Sequence, residues 1–388
     1  MSLCHRGRWS HSPLVSPRTL LTIAARALVV GCSRKEHAGD TAERPVSARG
    51  EVATDSIGQF ERVTTGSLTP LVLDSIAASP LGSDATTTPR EVTRARIFGE
   101  RIFVIDWSAH MVRAFHRSGL PIFSIPIDGR VDGLDNPMSL AVVRDTLYVL
   151  ELNKERGITA FDLQGRRTRH FLLDIGSAAM DVTPVGDTLV VATSALDPDV
   201  ARGRALLVRT VTREGTTLAA GCTPDPSYRK SVRRRGLLAM FRYVGVTESA
   251  GLLYCRQPAT PVVQVLHPDG RAAGILRRAP PFYTPPPDVH ESMNQVVIDR
   301  FRARWTEHTQ FYPRPGGFLS VYSTPDSVTG AVRYRLFACD STAGPVRCHV
   351  GESHGEPVAF VAPDTLVVLE PLRSAGQVRR LVWYRVQP

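Results

Sequence analysis

The sequence predicts an all-β protein made of repeated four-stranded units, and two observations lead to this prediction. The first is a phrase that occurs three times: RDTLYVLE at 144–151, GDTLVVAT at 186–193 and PDTLVVLE at 363–370. The second is its surroundings, because short apolar stretches separated by turn residues recur on both sides of it. A short, β-branched-rich apolar stretch that follows a turn residue is typical of a strand buried on both faces.

The second unit shows all four strands. The segment 136–144, the phrase that follows it, and the two halves of 157–173 each have the pattern of a strand. The same unit occurs before and after it, and its anchor residues Glu100, Asp145 and Asp187 are 45 and 42 residues apart. A period of about 40 to 50 residues with four strands per unit is typical of the blades of a β-propeller.

Six such units are predicted, at 92–126, 136–173, 178–221, 251–278, 316–350 and 356–386. The last unit has only three strands, and the apolar segment 67–76 precedes the first unit. We expect this segment to pair with the last unit, because closing the ring removes an open sheet edge. The predicted domain is therefore a six-bladed β-propeller of four-stranded antiparallel blades over residues 60–388.

The second unit also resembles the repeats of the six-bladed NHL-like and TolB-like β-propellers of exported bacterial proteins. Those repeats carry a hairpin motif I-x-x-F-D-x-x-G after the second strand. The resemblance covers roughly residues 67–387, and it implies a fold but no chemistry. The matching residues are Ile158, Phe161, Asp162 and Gly165, then Val112, Phe115 and Gly119 with His116 in place of Asp, and more loosely Val265, Asp269 and Gly270.

The N-terminus has the pattern of an export signal. A mostly apolar run at 20–30 ends in LVVGC, which closes on Cys32. This ending resembles the lipobox of bacterial lipoproteins, so the resemblance implies a signal peptide of residues 1–31 and lipidation of Cys32. Ser33 resembles the pattern that is sorted to an outer membrane. Three arginines and no acidic residue precede the apolar run: Arg6, Arg8 and Arg18.

Arg26 shortens this apolar run, which leaves a poor transmembrane helix or a wrongly assigned start as alternatives. The run is far shorter than the ~20 apolar residues that span a bilayer, so a membrane-spanning segment is not expected. Residues 32–59 lack hydrophobic periodicity and are rich in small, charged and turn-forming residues. They have the composition of a flexible tether between a lipid anchor and a folded domain.

The charge balance favours no nucleic-acid partner. The chain carries a net charge of +10, and its 47 basic residues include only three lysines. Residues 1–31 contain four arginines and no acidic residue, so their removal leaves a mildly basic chain of +6. We expect a monomer that is exported and lipid-anchored at the outer membrane or cell surface, with no membrane contact besides the anchor.

Four cysteines follow Cys32, an even number that fits an oxidising compartment. The segment 337–350 has hairpin chemistry and brings Cys339 and Cys348 opposite each other, which leaves Cys222 and Cys255 to pair by default. Four buried free thiols are the alternative. No cysteine or histidine has the spacing of a structural zinc site.

Two insertions interrupt the repeats. The segment 223–236 has five basic residues, which suit lipid phosphates or an acidic partner, or else a solvated loop. The segment 280–310 predicts a short helix with Asp288 as N-cap and Glu291 in the capping-box position. We expect the apolar stripe of this helix to pack across one mouth of the propeller, with a lid over a partner groove as the alternative. The basic residues are Arg229, Lys230, Arg233, Arg234 and Arg235, and the stripe is Met293, Val297, Phe301 and Trp305.

Candidate chemistry is sparse, because the sequence has no motif of a nucleophile elbow, a phosphate-binding loop or a zinc protease. The cluster of Asp288, His290 and Glu291 suits a metal or a base, although helix capping and solvent exposure explain it better. By analogy with propeller lactonases, a metal would lie in the central channel near Asn136, Asp181 and Glu248. His308, His349 and His354 also lie in the second half.

Two functions of different classes follow from these patterns. The first is a binding or scaffold module for a protein, a peptide or a glycan, without a cofactor, which a complete fold signal lacking catalytic motifs favours. The second is a metal-dependent hydrolase or lyase that uses the channel, in which case calcium is the expected cofactor. We expect the first, and no ligand-binding or catalytic residue is assigned from the sequence.

Overall fold

A computed structural model describes thirteen segments of the chain, and no helix occurs within them. None of the described segments holds a helix that is long and apolar enough to cross a membrane. The predicted signal peptide 1–31, Cys32 and the tether 32–59 lie outside the described residues. The described residues are 60–64, 68–84, 87–129, 133–152, 157–173, 179–193, 206–225, 244–286, 305–326, 331–340, 346–361, 364–372 and 377–387.

The first three blades are four-stranded antiparallel sheets of consecutive strands, as the repeated units predict. Blade 1 contains β4 (Val92–Phe98), β5 (Arg101–Asp106), β6 (Met111–His116) and β7 (Pro121–Pro126). Blade 2 contains β8 (Pro137–Val143), β9 (Thr146–Glu151), β10 (Gly157–Asp162) and β11 (Arg167–Leu172). Blade 3 contains β12 (Ala179–Val185), β13 (Thr188–Thr193), β14 (Val208–Val211) and β15 (Thr217–Gly221).

The other three blades follow the same plan, with additions from the N-terminal side of the chain. Blade 4 contains β16 (Gly245–Ser249), β17 (Leu252–Arg256), β18 (Val263–Leu266) and β19 (Ala272–Leu276). Blade 5 contains β21 (Glu307–Arg314), β22 (Gly317–Pro325), β23 (Val332–Asp340) and β24 (Arg347–Ser353). Blade 6 contains β25 (Glu356–Val361), β26 (Thr365–Leu369), β27 (Arg380–Gln387) and β3 (Val72–Pro80).

The first strand of every blade lies at the centre of a ring. Strands β4, β8, β12, β16 and β21 contact one another in that order, and β25 contacts β4. Between β21 and β25, the ring of Tyr312 stacks on Phe360 with 5.9 Å between the centroids. The six first strands therefore surround a central channel. The structure confirms the predicted six-bladed β-propeller.

Strand β3 closes the ring. It pairs antiparallel with β27 along its whole length, from Val72 opposite Gln387 to Pro80 opposite Arg380. The closing strand begins at Val72 and not at residue 67, because β2 (Leu68–Pro70) pairs in parallel with β24 at the edge of blade 5. Leu71 joins the two strands, and its backbone N–H donates to the carbonyl of Val350 at 2.7 Å.

The chain before β2 is also held in place. Strand β1 (Glu61–Arg62) pairs in parallel with β20 (Arg278–Ala279), which follows blade 4. The ring of Phe60 meets Tyr283 edge to face at 5.6 Å, and Arg62 donates to the carbonyl of Tyr283 at 2.8 Å. We call residues 60–64 and 68–80 the N-terminal strap, because they connect the end of blade 4, the edge of blade 5 and blade 6.

Adjacent blades dock through a turn that only glycine fits. Gly119 lies between the third and fourth strands of blade 1 with φ +90°, and a Cβ there would overlap the carbonyl oxygen of Pro80 in β3. Gly270 holds the same position in blade 4 with φ +83°, and a Cβ there would overlap the carbonyl of Ala220 in β15. In both cases the turn of one blade contacts the outermost strand of the preceding blade.

The hydrophobic core consists of separate clusters between neighbouring blades. Blades 1 to 3 pack mainly through aliphatic residues, whereas blades 4 and 5 pack through aromatic residues and a disulfide. Burial of such side chains contributes about 1.5 to 3 kcal/mol each. Members of the aromatic cluster include Tyr283, Phe311, Phe318, Tyr322, Phe337, Cys339 and Cys348.

The structure joins the four described cysteines in two pairs. Cys222 follows β15 of blade 3 and bonds to Cys255 in β17, so this pair crosses from blade 3 to blade 4. Cys339 and Cys348 bond within blade 5, where they lie directly opposite each other on β23 and β24.

Blades 4 and 5 differ from the predicted units at their first strands. Strand β16 begins before residue 251 and β21 begins before residue 316, so both innermost strands precede the predicted limits. Residues 307–310, predicted as the end of a helix, belong to β21, because this strand forms a long hairpin with β22. Trp305 lies just before that strand and is buried.

The rest of the predicted helix, 287–304, lies outside the described residues, and so does the basic segment from 226 to 243. The residues singled out from the sequence that lie there are Asp288, His290, Glu291, Met293, Val297 and Phe301 in the first segment, and Arg229, Lys230, Arg233, Arg234 and Arg235 in the second.

Candidate functional site

Strand alternation in β4 places two arginines on one face. Arg94 and Arg96 alternate with Ala95 and Ile97, and successive side chains of a strand point to opposite faces. Ala95 and Ile97 pack in the cluster between blades 1 and 6. The arginines therefore point away from this cluster.

Asp181 on β12 receives one of these arginines. Nη2 of Arg96 donates to Oδ1 of Asp181 at 3.0 Å, and Oγ of Ser139 on β8 donates to the same oxygen at 2.6 Å. Blades 1 and 3 are not neighbours in the ring, so the pair of Arg96 and Asp181 reaches across the channel. Burial alone would raise the pKa of Asp181, but Arg96 and Arg94 outweigh it and hold this pKa below its usual value.

Arg256 comes from blade 4. It is the last residue of β17, is buried, and donates from Nη1 to the carbonyl oxygen of His308. Gly245 on the paired strand β16 makes room for it, because a Cβ at that position would overlap the guanidinium group. The positive charge of Arg256 also helps to lower the pKa of Asp181.

Tyr312 comes from blade 5. It is 9% exposed, and its hydroxyl has no hydrogen-bond partner among the described residues. Burial raises the pKa of Tyr312 far above its usual value, so the hydroxyl keeps its proton and can donate a hydrogen bond. The charges that act on this hydroxyl come from Arg96, Glu356, Arg256 and Arg94.

Glu356 comes from blade 6 as the first residue of β25. Burial raises its pKa to about 7, against the opposing effect of Arg94 and Arg379. At neutral pH this carboxyl group is therefore close to half-protonated.

Together these side chains form what we call the channel cluster, to which all six blades contribute. Its charges are three guanidinium groups, the ionised carboxylate of Asp181 and the partly titrated carboxyl of Glu356. The cluster thus has a positive surplus around an uncharged donor, the Tyr312 hydroxyl. Its members are Arg94, Arg96, Ser139, Asp181, Arg256, Tyr312 and Glu356.

The three residues expected near a channel metal do not share one environment. Asp181 belongs to the channel cluster, whereas Glu248 is exposed and accepts a hydrogen bond from the backbone of Gly251 at 3.0 Å. Nδ2 of Asn136 donates to the carbonyl of Leu152 at 3.3 Å. Within the part of the chain that the structure describes, no group of three His, Cys, Asp or Glu residues could hold a metal ion.

His308 and His349 contact neighbouring side chains, whereas His354 is exposed. The ring of His308 stacks on Tyr322 with 4.6 Å between centroids, and burial holds the pKa of His308 well below its usual value. His349 lies 3.5 Å from the carboxylate of Asp340 and hydrogen-bonds to Thr69 of β2. The second contact joins the N-terminal strap to blade 5.

Sequence reasoning singled out only Asp181 among the charged members of the channel cluster. The missed signal is in VTRARIF, where two arginines alternate with apolar residues in a strand that should be innermost. The sequence around Tyr312 and Glu356 has no comparable pattern of alternating charged and apolar residues. Their membership of the channel cluster depends on which blades face each other across the channel.

Comparison with known proteins shows the fold of the chain but not its family. No family model matches the chain, and no curated protein matches it. A solved structure of a Bacteroides fragilis NCTC 9343 protein, named as exported, has a TM-score of 0.57 at 8% identity and covers 82% of this chain and 96% of its own. A DUF4221 protein of Bacteroides vulgatus has a TM-score of 0.53 at 10% identity, over 82% of this chain and 98% of its own.

Proposed function

We propose that this chain is an exported, lipid-anchored binding protein whose ligand enters the central channel. The observation that carries the proposal is the channel cluster itself. Six separate strands bring charged groups, the Ser139 hydroxyl and the Tyr312 hydroxyl to the same place, and the Tyr312 hydroxyl has no hydrogen-bond partner among the described residues. Ligand sites are typically concave and present a small number of convergent polar groups.

A purely structural role explains this cluster poorly. A buried donor without a partner costs about 1 to 3 kcal/mol, and the Tyr312 hydroxyl is such a donor within the described residues. The neighbouring blades already pack through apolar clusters that do not include these charges. A ligand that accepts a hydrogen bond from Tyr312 would remove this cost.

Three observations support export and anchoring. The N-terminus resembles a lipoprotein signal that ends at Cys32, and the structure contains two disulfides, which persist in oxidising compartments. One structural neighbour is also named as exported. Fractionation of cells that express Cys32→Ser tests the anchor: the variant should move from the membrane fraction to the soluble exported fraction, and unchanged membrane association would refute lipidation at Cys32.

The binding site is tested by a thermal-shift screen of small organic acids, sugars and short peptides. A channel ligand should raise the melting temperature of the wild type and leave Arg94→Gln unshifted. Arg144→Gln is the matched control, because Arg144 is an exposed arginine that pairs with Asp187 outside the channel cluster. Equal shifts in all three proteins would place the ligand outside the channel and refute the proposal.

A further inference from the structure

We propose that the channel cluster recognises a free carboxylate group, carried either by a small organic acid or by the C-terminus of a peptide. This inference rests on the proposed function, because it assumes that the channel is the binding site. It adds the chemical class of the ligand.

The charges of the channel cluster favour an anion. Asp181 is ionised and matches one of the three guanidinium groups through its contact with Arg96. Even when Glu356 is ionised, the guanidinium groups of the cluster keep a positive surplus, and Arg379 adds to it because it also faces Glu356. A carboxylate supplies one negative charge, and arginine side chains bind carboxylates in a two-pronged geometry.

Tyr312 supplies a neutral donor beside these charges. Its ring is fixed by stacking on Phe360, so little side-chain freedom is lost when the hydroxyl binds an acceptor. Among the described residues this hydroxyl has no acceptor. A ligand oxygen is the missing partner, and a carboxylate has one oxygen for an arginine and one for the tyrosine.

Glu356 makes recognition depend on pH. The charged groups that face it are Arg94 on β4 and Arg379 before β27, and the tyrosines near it are Tyr312 on β21 and Tyr334 on β23. Neither tyrosine ionises near neutral pH, since burial raises the pKa of both. When Glu356 gains a proton, repulsion of a bound carboxylate disappears, so binding should tighten as the pH falls.

Titration calorimetry of the full chain tests this class of ligand directly. The probes are sodium acetate, N-acetyl-tri-alanine with a free C-terminus, the same peptide with an amidated C-terminus, and inorganic phosphate, each at pH 6 and pH 8. We expect the free peptide to bind at least ten times more tightly than the amidated one, and more tightly at pH 6. Comparable binding of acetate would identify a small acid as the source of the carboxylate, and binding of the peptide alone would identify a C-terminus.

Two variants and two controls assign the effect to the channel cluster. Tyr312→Phe should weaken binding about tenfold, as expected for the loss of one hydrogen bond, and Glu356→Gln should abolish the pH dependence. Tyr322→Phe is the matched control, because the Tyr322 hydroxyl is also buried but lies in the aromatic cluster of blade 5. Arg144→Gln controls for anion binding at the surface.

The outcomes separate the two proposals. Tighter binding of phosphate than of any carboxylate, or equal losses in Tyr312→Phe and Tyr322→Phe, would overturn the carboxylate inference. If a neutral ligand binds and Arg94→Gln abolishes that binding, the carboxylate inference fails while the proposed function stands. If no ligand from the screen or the titrations depends on the channel residues, both proposals fail.

Discussion

Blades 1 to 3 and blades 4 and 5 share a four-stranded plan but are held together differently. The clusters of the first three are mostly aliphatic. Blades 4 and 5 pack through stacked rings, such as Tyr254 on Phe311 at 5.5 Å and Phe311 on Phe318 at 5.4 Å. Both disulfides and the contacts of β1 and β2 also involve these two blades.

The repeated phrase marks blades 2, 3 and 6. Where the sequence repeats DTL followed by apolar residues, a strand buried on both faces forms from local pattern alone. The first, fourth and fifth units lack the phrase, and blades 4 and 5 carry the disulfide bonds to Cys255 and between Cys339 and Cys348. Blade 6 keeps the phrase and still takes its fourth strand, β3, from the N-terminal strap.

Removal of the N-terminal strap should have the largest effect. Deletion of residues 33–80 removes β1, β2 and β3 and leaves β27 as an open edge. We expect a loss of several kcal/mol from a total stability of about 5 to 15 kcal/mol. The measurement is a thermal melt, and deletion of 33–59 is the control, since the composition of that segment predicts a tether. Equal melting temperatures would contradict closure of the ring by β3.

Loss of the disulfides should have the next largest effect, and the pair between blades should matter more. The cysteines of the Cys222–Cys255 pair are 33 residues apart and those of the Cys339–Cys348 pair are 9 apart. Loop entropy gives about 4 and about 3 kcal/mol respectively. Replacing each pair by alanine and measuring unfolding by denaturant gives the comparison. A larger loss for the shorter loop would show that native packing in blade 5 outweighs loop entropy.

The pH dependence of stability should have the next largest effect, and it arises in the central channel, where all six blades meet. The pKa of Glu356 is raised to about 7 in the folded protein, so the folded state binds more protons than the unfolded state between pH 4.5 and 7. Glu356 therefore costs stability progressively as the pH rises through this window, up to about 3 kcal/mol above pH 7. Glu356→Gln should reduce the change in the free energy of unfolding across this pH window. Melts at pH 5 and pH 8 measure it, and an unchanged slope in the variant would assign the dependence to another group.

The smallest effect is expected at a single docking turn. Gly119→Ala combines a positive φ with overlap on Pro80 of β3 and should cost about 2 kcal/mol. Gly99→Ala is its matched control, because Gly99 has φ +56° but no neighbouring atom within 4 Å, and it should cost about 1 kcal/mol. Urea unfolding of both variants provides the measurement. Similar costs would show that the turn does not dock tightly on blade 6.

The sequence predicted the regular blades almost to the residue. The units at 92–126 and 136–173 match blades 1 and 2, because their turn residues and apolar strands act locally. The first strands of blades 4 and 5 were missed. The sequence of β16 and of β21 lacks a clear strand pattern, and each is defined by its pairing with the next strand.

The channel cluster was largely beyond prediction for a different physical reason. A strand pattern indicates which side chains share a face, but it does not indicate whether that face meets another blade or the channel. Arg96 and Asp181 meet because two innermost strands of non-adjacent blades face each other. This relation appears only once the ring is assembled.

Closure by β3 also has a consequence for the order of folding. The strand is synthesised before every blade, yet its partner β27 is synthesised after all the other strands. During synthesis and any translocation, the half-built propeller therefore carries an unpaired strand with exposed Val72 and Ile76. Such long-range pairing is slow and leaves chains open to aggregation. The vulnerable period of this protein ends only when its first and last segments meet.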